Sequence, residues 1–85
     1  NFSLPSYKER RLLWINALSE ISNINTEIIN EIAKDHILSG GSIKNIIQFT
    51  WLLSKRKGKE ITKDEILIGI KRELVKEGKT MENNL

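Results

Sequence analysis

Cysteine is absent from the 85 residues, so neither a disulfide framework nor a thiolate metal site can form. With one histidine as well, a zinc centre of the usual kind is excluded. Alanine occurs twice and valine once. Helices here must therefore be held by bulky side chains packing together rather than by alanine propensity. No apolar run approaches the ~18–20 residues that span a bilayer, and no signal peptide is visible. The expectation is a cytoplasmic chain with no membrane partner. An initiator methionine is lacking too: the chain opens Asn1-Phe2, which predicts a segment of a longer protein.

What is present describes one small domain. Apolar residues make up 39% and charged residues 29%, a globular balance far from the disordered corner. Isoleucine (14) and leucine (10) supply most of the apolar set. Net charge is +3, unevenly spread. Residues 1–41 carry 4 basic and 5 acidic groups, and residues 42–85 carry 10 and 6. The densest basic stretch is Lys55-Arg56-Lys57-Gly58-Lys59. It reads first as a solvated helix end complementing the negative end of the dipole, and second as a phosphate contact.

Local signals predict four helices and no strand, an all-α fold arranged as a compact four-helix bundle. Residues 1–5 read as an extended arm, since Pro5 biases Leu4 away from helical angles. Ser6-Tyr7-Lys8-Glu9 is a capping box opening a first helix that runs to about Ser19–Ile21. Its apolar stripe is Trp14, Ala17, Leu18 and Ile21. Asn25 caps a second helix over about 26–36, with Ile29, Ile32, Ala33 and His36 as its stripe. Leu38-Ser39-Gly40-Gly41 reads as a turn in which two glycines allow positive φ. The third helix is expected from Ser42 to Arg56, ended by Gly58. Thr62-Lys63-Asp64-Glu65 is a second capping box, opening a helix over 63–77 that Gly78 stops. Its inward residues are Ile66, Leu67, Ile70 and Leu74. Residues 79–85 read as a frayed tail. Trp14 and Trp51 are both expected in the core.

Few catalytic constellations can be built. No phosphate loop of the Gly-x-x-x-x-Gly-Lys-Ser/Thr kind occurs, nor a Gly-x-Gly-x-x-Gly. Asp64 and Glu65 sit in a first helical turn, where acids suit the dipole. His36 lies on an apolar stripe and reads as a core histidine. One element stands apart: the small-residue turn Ser39-Gly40-Gly41-Ser42 opening into a helix with Lys44 one turn in. Unpaired N–H groups and two glycines there suit a phosphate or the flat edge of an adenine and its ribose. A tight helix–helix turn explains the same residues.

The order of motifs along the chain adds to this. Phe2-x-Leu4-Pro5 is followed by Arg10 and Arg11 with Leu13-Trp14, then by Ile32-Ala33. Ser39-Gly40-Gly41-Ser42-Ile43-Lys44-Asn45-Ile46 comes next. Ile61-Thr62 and Lys71-Arg72-Glu73-Leu74-x-Lys76-x-Gly78-Lys79 close the series. Over residues 2–79 this ordered set resembles the C-terminal helical lid of an AAA+ ATPase. That resemblance makes residues 6–78 the lid, and 1–5 an arm from an α/β ATPase core upstream of Asn1. It implies ATP between core and lid, Mg²⁺ held by the core, and neighbouring subunits of a ring as partners. Walker A, Walker B, sensor 1 and the arginine finger would lie in the core, so the chain alone would hydrolyse nothing. Gly40, Gly41 and Ser42 would border the nucleotide, with Ile43 as an apolar contact and His36 near the ribose. Lys44 falls where many members carry a sensor 2 arginine. Two other readings compete: a small basic helical nucleic-acid binder and a protein-interaction bundle. Against the former, Ile43, Ile46, Ile47, Phe49 and Trp51 make the third helix too apolar to read base edges.

Overall fold

Each helix starts where a polar side chain can take up an unpaired backbone N–H. The computed structural model describes residues 4–78 and, among them, four helices and no strand. α1 (Tyr7–Leu18) opens with the reciprocal Ser6–Glu9 capping box. α2 (Thr26–Asp35) opens on Asn25, whose side chain accepts from the Glu27 N–H at 2.7 Å. α4 (Lys63–Lys76) opens with the Thr62–Glu65 box.

α3 (Gly40–Lys57) differs from expectation at its start. Ser39, and not a residue beyond the glycines, is the cap, because its hydroxyl reaches the Ser42 N–H at 3.1 Å. Gly40 and Gly41 therefore lie inside the first turn. Neither has positive φ; that conformation belongs to Gly58 and Gly78, which follow α3 and α4. α1 is also shorter than expected and stops at Leu18, where Ser22 N–H closes on the Leu18 carbonyl. Most of the expected arm and all of the expected tail lie outside the described residues.

α1 packs on α2, α3 on α4, and the two pairs meet through α1 and α3. Trp14 and Leu18 of α1, Ile32 of α2, Ile43 and Ile46 of α3, and Ile66 and Ile70 of α4 are sealed in the core. Leu38 and Ile61 plug it from the links. Leu67 and Leu74 pack at its edge. Trp51 departs from expectation and is 38% exposed, lying against Lys55. Two side chains gain their roles only in three dimensions. Gly69 lets α4 approach α3 so closely that a Cβ there would meet Ile46 Cγ2 at 2.9 Å. Arg10 is buried one turn before Trp14, where it continues the α1 stripe as a charged residue.

Candidate functional site

The start of α3 and the outer edge of α1 enclose a groove of ≈ 610 Å³. Gly40, Gly41, Ile43 and Lys44 form one wall, so four of the six residues expected at a site share one surface. Leu13, Asn16 and Ala17 of α1 form the other, with Ile47 beyond. The apolar floor follows from the bundle: Ile43 is buried, and Leu13 is 40% exposed toward the groove. Lys44 is exposed and joins no ion pair among the described residues. It places a positive charge at the rim of an otherwise apolar surface.

Neither glycine is required by the packing of the described chain. A Cβ on Gly41 would meet only Ser39 Oγ, at 4.0 Å. A Cβ on Gly40 would make an ordinary 3.8 Å contact with Leu13 Cδ1. With helical backbone as well, alanine fits both positions and would favour the helix. The gap left by two missing side chains faces the groove.

Ser42 and His36 are placed elsewhere. Ser42 is buried, and its hydroxyl donates to the Glu77 carboxylate, joining the start of α3 to the end of α4. Its side chain does not line the groove. His36 caps the C-terminus of α2, its N–H donating to the Ile32 carbonyl at 3.1 Å. It is half-buried; burial pushes the imidazole below its ordinary pKa, against an opposing pull from Asp35.

The α1 wall is what sequence reasoning missed. Leu13, Asn16 and Ala17 recur at i, i+3 and i+4, a spacing that puts them on one helix face. That face partly overlaps the core stripe through Ala17, which hid it. A second apolar depression, lined by Leu4, Pro5, Glu9 and Leu12, continues the groove by sharing Leu13 and Asn16. No three metal-ligating side chains gather among the described residues. No described helix is long and apolar enough to cross a membrane. No family model, curated protein or solved structure matches this chain.

Proposed function

We propose that this chain is the helical lid of a cytoplasmic AAA+ ATPase, and that the α1–α3 groove takes the adenine and ribose of ATP. The observation that carries this reading is the glycine pair. Two glycines stand where the fold itself tolerates alanine, and both open onto one apolar groove. A flat base can then approach the α3 backbone at a distance that a side chain would prevent. Leu13, Ala17 and Ile43 supply the apolar faces such a base stacks on. Lys44 stands at the rim, where a cation attracts phosphate.

ATP would bring its phosphates and Mg²⁺ to a core domain supplied by the longer protein, and the chemistry of hydrolysis would occur there. The residues of this chain bind, orient and sense. Contacts along the groove differ between the triphosphate and its product, and that difference turns the bundle against the core as a rigid body. Adjacent subunits of a ring would receive the motion.

The coding sequence upstream of Asn1 provides the test. A Gly-x-x-x-x-Gly-Lys-Ser/Thr loop is expected within ~200 residues, about one domain's length. A frame lacking that loop overturns the proposal.

A further inference from the structure

α3 has a second flank. Successive helical residues turn by about 100°, so Phe49, Leu52 and Arg56 lie on the side away from Gly40, Ile43 and Ile47. There α3 runs beside α4. The Arg72 guanidinium of α4 lies 4.4 Å from the centroid of the Phe49 ring and bridges the two helices. On the α3 side, Phe49, Leu52, Leu53 and Arg56 line a depression of ≈ 260 Å³. On the α4 side, Ile68, Lys71, Arg72, Val75 and Lys76 line one of ≈ 590 Å³. A small cleft containing Phe49, Arg72 and Lys76 joins them.

Two properties set this face apart from an ordinary solvated one. Leu52, Ile68 and Val75 are 60%, 53% and 62% exposed, which puts three aliphatic side chains in water on one continuous surface. Its uncompensated charge is predominantly positive as well. Arg56, Lys71 and Arg72 meet no carboxylate among the described residues. Two acids of α4 are engaged: Glu73 accepts from Asn45 and lies 3.5 Å from Lys76, and Glu65 is held by Lys57. Asp64, one turn before Ile68, is exposed and offsets one of the three cations, so the face stays net positive. The α3 sequence contains no acidic residue.

We propose that this α3–α4 face docks an acidic amphipathic helix from a partner protein. Apolar side chains of that helix would cover Leu52, Ile68 and Val75, and its flanking carboxylates would meet Arg56, Lys71 and Arg72. Ile68 and Val75 are two turns apart on α4, about 10.5 Å, so the partner repeats its apolar residues at i and i+7. Nucleic acid fits less well, because phosphates would leave the three aliphatic side chains facing charge instead of apolar cover. A membrane fits less well because the seam between two helices receives a rod and not a plane. This proposal does not depend on the nucleotide reading, since the two surfaces share no lining residue.

The test measures fluorescence anisotropy of a labelled synthetic helix with leucine at i, i+4 and i+7 and glutamate on its flanks. The chain is expected to bind it, and added salt to weaken the complex. Lys71→Glu and Ile68→Ser should each weaken binding by about tenfold or more, equivalent to losing one anchor. Both positions are exposed, so helicity and denaturation midpoint should hold; Val75→Ser serves if either variant unfolds. Lys8→Glu, an exposed change on α1, should bind as the parent does. The proposal is overturned if the glutamate helix does not bind, or if a lysine-flanked helix binds equally well. It is also overturned if the α4 variants bind unchanged. Duplex DNA or phosphatidylserine vesicles binding at this face while the helix does not would replace it with another partner class.

Discussion

The buried guanidinium of Arg10 donates through Nε to the Ala33 carbonyl at 2.8 Å, and through Nη1 to the Pro5 carbonyl at 2.8 Å. Ala33 carries one of the last carbonyls of α2, which have no partner within the helix. The cation thus closes the negative end of α2 while holding the chain segment that leads into α1. Hydrogen bonds to charged groups contribute about 1.5–3 kcal/mol each. Arg10→Met should lower stability by about 2–4 kcal/mol, read from the denaturant midpoint. Arg10→Lys should recover only part, since an ammonium lacks the fork that reaches both carbonyls. A Met variant as stable as the parent would show the two bonds to be dispensable.

Gly69→Ala sets helix propensity against packing. Alanine gains about 1 kcal/mol in a helix interior. Its Cβ, however, would lie 2.9 Å from Ile46 Cγ2 and 3.2 Å from Phe49 Cδ2. Ile46 is buried and β-branched, so it has no free rotamer to swing into. Overpacking costs about 1–3 kcal/mol. The expected net result is a loss of about 1 kcal/mol, and Gly69→Val should lose more. A rise in thermal midpoint for Gly69→Ala would contradict the close approach of α4 to α3.

Gly41 should behave in the opposite way. With no positive φ and open space around it, Gly41→Ala is expected to stabilise the bundle by about 0.4–1 kcal/mol. Under the proposed lid function, Gly41→Val in the longer ATPase should reduce ATP turnover on the order of tenfold or more by displacing the base. Helicity should stay unchanged. Normal turnover in the Val variant would mean that no ligand approaches the backbone there.

Acid sensitivity should be concentrated at Glu65. Lys57 Nζ donates to its Oε2 at 2.9 Å and the Thr62 N–H to its Oε1 at 3.0 Å. These contacts hold the carboxyl below its ordinary value. Its contribution is therefore full above the unfolded value of about 4.3 and is lost as pH falls through the lower native one. Glu65→Gln should make the stability–pH curve shallower below about pH 4.3. Glu60, whose carboxylate accepts from the Asn23 N–H and the Ser22 hydroxyl and is lowered too, should leave some acid dependence. An unchanged slope would remove the assigned role.

What the sequence disclosed and what it hid divide along one physical line. Ser6, Asn25, Thr62 and Gly58 act within a few residues of themselves, so their positions announce their roles. The isoleucine spacing of α2 likewise reports which face is wet, whereas in α4 Ile68 lies on the wet face between the buried Ile66 and Ile70. Arg10 shares the α1 stripe with Trp14 and Ala17, which sets it apart from the exposed Lys8, but its acceptors on another helix and on a link are not readable from that spacing. Gly69 sits within a regular helix and is explained only by the α3 side chains above it. Ser39 and Ser42 are both plausible caps; the tie between Ser42 and Glu77, 35 positions away, removes Ser42 from that contest. Half of the groove was readable for the same reason. Its α3 wall is a contiguous stretch, whereas its α1 wall lies about 27 positions earlier and becomes a wall only when the helices pack.

The pairing of α1 with α2 and of α3 with α4 makes two hairpins that meet along the α1–α3 seam. The groove lies across that seam. Parting the hairpins would destroy it, and any molecule seated in it touches both. Its occupant would therefore resist separation by its own binding free energy, and slow hydrogen exchange at amides far from every contact it makes. Exchange protection spreading to α2 and α4 would register an occupied groove without reporting from the groove itself.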